Sequence, residues 1–287
     1  MSGRDLEDRV VVITGANIGI GRSVAEALAE RGARLRLLCR SIAKATPVVE
    51  ALKTKTSDVI AIECDLGRLA SVRTAAEELL AREEPIHILV NNAGVAGQRG
   101  VTPDGFELHF GVNHLGHFLL TNLLLDRLRA SAPARIVHVA SGNHRKARGI
   151  DWEAVRRPTV SVSGLPEYGV SKLANVLFSA ELSRRLAEAG VTSYAVNPGR
   201  VASNIWQRVP WPIRPLFKLT MKSTADGARS TVLAATAPDV ESGRYYGSRG
   251  DEEVASAPGR DAALAGELWH RSLMWTAQVA IGGGATR

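Results

Sequence analysis

Tyr168 and Lys172, in the run Tyr168-Gly169-Val170-Ser171-Lys172, are the pair in this chain best suited to moving a proton. Residues four apart share one face of a helix. A lysine ammonium held beside a phenol favours the phenolate, lowering a pKa that is about 10 in water. Moving it about three units toward neutrality takes roughly 4 kcal/mol of differential stabilisation. The phenol then donates and accepts a proton near physiological pH. The same spacing arises on a plain solvated helix face, so the weight rests on its surroundings.

Far upstream, Arg9-Val10-Val11-Val12-Ile13-Thr14 is a β-branched run short enough for a buried strand. It leads directly into Gly15-Ala16-Asn17-Ile18-Gly19-Ile20-Gly21, and a helical pattern follows over 23–30. Strand, glycine turn and helix start are the context in which a dinucleotide is held. Glycines let the backbone approach a pyrophosphate, and the helix start offers free N–H donors at its positive end. Gly15, Asn17, Ile18, Gly19, Ile20 and Gly21 are the expected cradle. The spacing is G-x-x-x-G-x-G rather than G-x-G-x-x-G, and a turn that only packs a helix on a sheet uses similar glycines. The next strand, over 34–40, ends without the Asp or Glu that would bind a ribose 2′-hydroxyl; an arginine there accommodates a 2′-phosphate. Arg40 thus points to NADP(H), with an exposed basic residue after a strand as the plainer alternative.

These groups need elements to position them. Further strands are expected at 59–64, 86–90, 135–140 and 191–196, and helices at 69–82, 106–128 and 168–187. Regular alternation predicts an α/β fold: one doubly wound parallel sheet with helices on both faces. Ligands of such a sheet bind beyond the carboxyl ends of its strands. Gly15, Arg40, Asp65, Asn92, Ser141 and Pro198 all fall at those ends, which argues for one shared site. No linker or repeat divides the 287 residues. The expectation is a single domain, with a core over about 8–247, a helical substrate lid over about 203–222 and a C-terminal extension over about 250–287.

The chain has 36 Lys+Arg against 29 Asp+Glu, a net charge of +7. Nucleic-acid binding would gather that charge into basic runs with interleaved aromatics; here the arginines are spread along expected helices, so no nucleic acid is expected as partner. No apolar run long enough to span a bilayer and no signal-peptide pattern occurs, so a cytoplasmic protein without a membrane anchor is expected. Cys39 and Cys64 both end expected interior strands, where reduced buried thiols are expected, not a disulfide or a metal.

With Thr14-Gly15, Gly19-Ile20-Gly21, Asn91-Asn92-Ala93-Gly94, Ser141, Tyr168 with Lys172, and Pro198-Gly199 in this order, the chain resembles the short-chain dehydrogenases/reductases. Leu38-Cys39-Arg40, Val112-Asn113-His114-Leu115-Gly116-His117-Phe118 and Ser171-Lys172-Leu173-Ala174-Asn175 are similar to the branch that contains retinol dehydrogenases and protochlorophyllide reductases. That branch commonly uses NADP(H) with an arginine matching Arg40. The resemblance implies a Rossmann fold and a tetrad of Asn113, Ser141, Tyr168 and Lys172. In it, Ser141 hydrogen-bonds the substrate carbonyl and Tyr168 protonates the developing alkoxide. Lys172 binds the nicotinamide ribose and keeps the tyrosine acidic, and Asn113 holds a water that resupplies protons. Asp65, Leu66, Asn92, Ala93, Gly94, Pro198, Gly199, Val201 and Ser203 are the further cofactor contacts it implies. Taken alone, Ser141 also suits a strand-end cap and Asn113 a partner for backbone within its helix. His114 and His117 are expected to be structural and His144 to stand on the pocket rim; none has the partners of a metal site.

Against the family pattern, the spacing from Ser141 to Tyr168 is long, with an insertion over 142–167, and Ser203 stands where threonine is usual. Residues 204–222 carry Trp206, Trp211, Phe217 and other apolar side chains among three prolines. This segment is expected to close over an apolar, bulky substrate, with ordinary packing of short helices as the alternative. Val95, Ser141, Asn143, His144, Tyr168, Trp206, Trp211 and Phe217 are the expected substrate contacts. The tail over 261–280 is a final helix, a pocket wall or a dimer contact. Family habit suggests a homodimer or homotetramer through 115–128 and 168–187. The expected activity is NADP(H)-dependent hydride transfer to or from a lipophilic ketone, aldehyde or secondary alcohol. Its rivals are a redox-neutral isomerase or cyclase and a non-catalytic NADPH-binding regulator; the complete tetrad counts against the second.

Overall fold

The computed structural model describes residues 3–201 and 222–282. The β-branched and leucine-rich runs form β1 (Val10–Thr14), β2 (Arg34–Cys39), β3 (Val59–Glu63), β4 (Ile88–Asn91), β5 (Ala134–Val139) and β6 (Val191–Val196). Helices α1 (Gly19–Glu30), α2 (Ile42–Lys53) and α3 (Leu69–Leu80) follow the first three strands. After β4 come α4 (Leu108–Phe110), a π turn (Gly111–Leu115), α5 (Gly116–Leu123) and α6 (Leu125–Ala130); after β5 comes α7 (Leu165–Arg185). The chain continues through α8 (Thr224–Thr236), the short strands β7 (Tyr245–Tyr246) and β8 (Glu252–Glu253), and α9 (Ala262–Gly282).

The sheet order is β3-β2-β1-β4-β5-β6-β7-β8. All neighbours are parallel except β8, which runs antiparallel to β7. The interior strands β1 and β4 are buried along their whole length and read as apolar runs without alternation, as interior parallel strands do. Side chains still alternate between layers: Val11, Ile13, Leu35 and Leu37 pack under α1, α2 and α8, whereas Val12, Leu38 and Leu89 pack under α3, α5 and α7. The winding reverses between β1 and β4, where a doubly wound sheet opens its crevice. This is the expected α/β architecture, extended by the antiparallel edge.

Arg36 breaks the apolar run of β2 at 2 % exposure. Its guanidinium donates to Asp58 Oδ1 at 2.8 Å and to Glu84 Oε2 at 2.6 Å, clamping the amino ends of β2, β3 and β4. The Asp58 carboxyl is held at about 2, chiefly by its hydrogen bond to Arg36. A buried guanidinium is tolerable only with such partners.

The helix expected over 106–128 is broken by the π turn and again at Leu124, and α2, α8, β7 and β8 are additions to the expected set. Pro47 lies inside α2 and reads in sequence as a helix break. The tail resolves to α9, which lies on α7, α5 and α3. Trp269 packs on Phe118 and Phe178 at ring distances of 5.2 and 5.8 Å, and Ser272 bonds buried His114 at 3.0 Å. The two stretches expected to pair copies, 115–128 and 168–187, thus both carry the chain's own α9 on part of their surface. The insertion over 142–167 straps the β4–α4 loop, since Thr159 N donates to Gly100 O and Glu107 N to Val155 O.

Candidate active site

Gly15 and Gly19 take φ of +66° and +59°, a region that disfavours any side chain. At Gly21 a Cβ would stand 2.4 Å from Gly15 O and 2.3 Å from the Asn92 side-chain amide. The backbone there is bare by steric necessity, and α1 starts from it with its N–H groups free. Thr14 Oγ1, at the end of β1, accepts from the N–H groups of Asn92 and Ala93 at 2.9 Å each, and Asn92 Nδ2 donates to Thr14 O at 2.8 Å. The β1 and β4 ends are therefore one rigid unit.

Beyond these ends lies a cavity of about 830 Å³. Gly15, residues 17–21, Arg40, Asp65, Leu66, residues 92–95, Tyr168, Lys172 and Pro198 all line it, so most of the expected cofactor residues converge. Gly199 and Val201 stand outside that lining; Val201 packs against Gly227 of α8. Ser203, Trp206, Trp211, Phe217 and the expected lid up to residue 221 lie outside the described residues. Ser41, Lys44, Gly67 and Arg68 line the cavity beside Arg40 and Asp65 without having been expected. A Ser N-cap before apolar positions 45, 48, 49 and 52 was the signal for α2, and Lys44 lies in its first turn. Among the described residues neither the Arg40 nor the Lys44 side chain has a hydrogen bond or ion pair.

Asn113 sits inside the π turn, fully buried, a place where π turns commonly serve function. Its side chain accepts from Val95 N at 2.8 Å and donates to Val95 O at 3.0 Å and Ser171 Oγ at 2.9 Å. It therefore anchors the cavity loop instead of bonding backbone in its own helix. Ser141, just past β5, caps the 3₁₀ turn Gly142–Lys146 by accepting from Asn143 N at 3.2 Å.

Tyr168 is 8 % exposed and Lys172 3 %. Burial raises the Tyr168 phenol above its usual value, while a hydrogen bond with Ser141 pulls it back. Burial also brings the Lys172 ammonium down to about 7. Lys172 Nζ donates to Val139 O at 2.7 Å and lies 5.7 Å from the Tyr168 ring centre. The expected acidification of the phenol is thus not what this geometry produces: both groups are desolvated, and the lysine turns to a carbonyl. What it produces is a protonated phenol beside an amine that titrates near neutrality, a pair able to pass a proton.

His144 departs from its expected place on the rim. It has no solvent exposure; Nδ1 donates to Ser141 O at 2.8 Å, Nε2 accepts from Ser256 N at 3.1 Å, and the ring packs on Tyr245. It braces Ser141 from behind. Asn143 likewise falls outside the cavity lining.

A family model described as short chain dehydrogenase matches residues 9–211. Retinol dehydrogenase 12 of Mus musculus is 45% identical over 276 residues, 92% of this chain and 85% of the relative. Retinol dehydrogenase 11 of Homo sapiens is 42% identical over 276 residues, 92% of this chain and 84% of the relative. Among solved structures, an uncharacterized protein from Mycobacterium Paratuberculosis superposes with a TM-score of 0.77 at 35% identity, covering 95% of each chain.

Proposed function

Because the chain belongs to the short-chain dehydrogenase family, we propose that it is an NADP(H)-dependent oxidoreductase that interconverts a lipophilic ketone or aldehyde with its alcohol. The observation that carries this reading is the meeting of Tyr168 and Lys172 with a bare glycine cradle at one cavity, with Ser141 near enough to the phenol to lower its pKa.

The residues fit a dinucleotide. Gly21 leaves room for a pyrophosphate at the start of α1, and Asp65 is positioned to receive polar groups of the adenosine half. Arg40 and Lys44 are cations without partners among the described residues, and they suit a 2′-phosphate. When bound, the cofactor supplies or receives the hydride. Ser141 orients the substrate oxygen, and Tyr168 gives that oxygen its phenolic proton or takes it back. Lys172, poised near neutrality, restores the charge balance and holds the ribose. Asn113 fixes the Val95 loop that closes the wall beside them. Val95, Val101 and Leu108 give that wall apolar character, and the retinol dehydrogenase relatives support an apolar alcohol or aldehyde as substrate. We read the chain as one domain working in the cytoplasm; no helix among the described residues is long and apolar enough to cross a membrane.

The test is fluorescence titration with NADPH and NADH, followed by NADPH oxidation across bulky ketones and aldehydes. Tyr168→Phe lowers kcat by about 10²–10⁴-fold with NADPH affinity retained. Arg40→Ala narrows the preference for NADPH over NADH by about tenfold or more. Product formed without net NADPH consumption would establish the redox-neutral alternative, and absence of dinucleotide binding would overturn the reading altogether.

A further inference from the structure

His117 is 1 % exposed and lies in α5, one turn beyond Asn113. Nε2 is 2.8 Å from Thr14 Oγ1 and Nδ1 is 3.0 Å from the main-chain oxygen of Asn113. The protons can be placed by valence. The Thr14 hydroxyl oxygen already accepts two N–H bonds, from Asn92 and Ala93, so it can only donate its own hydrogen. Of its remaining neighbours, His117 Nε2 at 2.8 Å is nearer than Val90 O at 3.4 Å. Nε2 is therefore the acceptor, the ring hydrogen sits on Nδ1, and Nδ1–H donates to Asn113 O. A second ring proton would point at an oxygen with no lone pair to spare; burial, aided by the nearby Lys172 ammonium, also disfavours it.

We propose that His117 is a positioning residue: as the neutral Nδ1–H imidazole it locks the Asn113 peptide to the Thr14 hydroxyl and, through it, to the Asn92-Ala93 loop. This inference rests on the oxidoreductase reading above. The ring bonds Thr14 at the end of β1 and the Asn113 carbonyl one turn earlier on its own helix, and Thr14 in turn holds the Asn92-Ala93 loop. Asn113 in turn fixes Val95 in the cavity wall, and its Oδ1 would lie 3.1 Å from a Cβ on Gly94. One side of the imidazole thus sets the Asn92-Ala93 loop of the cavity wall and the other sets Asn113, so their relative position is decided by a group that stands outside the cavity lining.

The two bonds can be separated by substitution. In His117→Asn the amide nitrogen falls near the place of Nδ1 and keeps the Asn113 bond; in His117→Gln the longer amide reaches Thr14 instead; His117→Phe keeps ring volume and neither bond. For each, kcat, KM and NADPH dissociation constants are measured on the purified chain, with melting temperature alongside. His117→Phe is expected to lower kcat by about ten- to a hundredfold, the cost of a small misplacement. His117→Asn should recover kcat to near the parent while binding NADPH about three- to tenfold more weakly, the worth of one hydrogen bond. His117→Gln should show the reverse split. Nitrogen-15 NMR of the labelled histidine should report a neutral ring protonated at Nδ1. The inference is overturned by equal losses in the Asn and Gln variants, by parent kcat in the Phe variant, or by the Nε2–H tautomer. Should His117→Phe fail to fold, the Asn and Gln pair decides. A parent that binds NADPH yet reduces no carbonyl overturns the oxidoreductase reading, and a parent that turns over while all three variants match it overturns this inference alone.

Discussion

At neutral pH Lys172 is divided between its two protonation states, because burial takes its ammonium from 10.5 down to about 7. The unfolded chain keeps that proton until the higher value, so between the two values folding releases it. The contribution of Lys172 to stability therefore rises with pH across that window, and below it the full cost of a buried ammonium is felt. Lys172→Met is expected to melt above the parent near pH 6, with the gap closing toward about pH 10; a constant gap in a calorimetric series would mean that the amine is not desolvated. At this scale the sequence was most legible where a motif is contiguous. The glycine turn and the Tyr168/Lys172 pair announce themselves through spacing, and Arg40 through the absence of an acid. His117 does not, because its meaning needs three separate segments to meet. His144 was misplaced for the same reason: its second partner, Ser256, is more than a hundred residues away.

The elements were read well where an apolar run is uninterrupted. The expected strand over 191–196 coincides with β6, and the helix expected at 168–187 is α7 begun three residues earlier. The π turn was not legible, since a run such as Val112 to Phe118 has ordinary helical spacing and one extra residue in a turn leaves no mark on it. Nor was α2, where a proline inside an otherwise helical period reads as a break. Gly116 begins α5 directly after the π turn, and a Cβ there would lie 2.4 Å from Leu66 O. Gly116→Ala should push α5 away from the loop that carries Leu66 and Asp65. A loss of about 1–3 kcal/mol in denaturant melts is expected, with weaker dinucleotide binding. Unchanged stability would show that the two elements separate freely.

For the molecule as a whole, the parallel doubly wound sheet was expected from alternation alone, whereas its strand order and the covering of the outer helices were not. A tail with Leu264, Leu268 and Trp275 fits a partner contact as well as a home on its own domain. The structure seats it on α7 and α5, with Leu268 and Trp269 buried. Light scattering is accordingly expected to show no dimer built on those two helices; pairing abolished by substitutions on the outer face of α7 would contradict this. The position of α9 also bears on how the protein is made. A ribosome delivers α9 only after every residue it covers, so Phe118 and Phe178 wait without Trp269 over them while the rest of the sheet assembles. During that interval a nascent chain presents the surface that chaperones recognise, and a prematurely terminated message would leave it open for good.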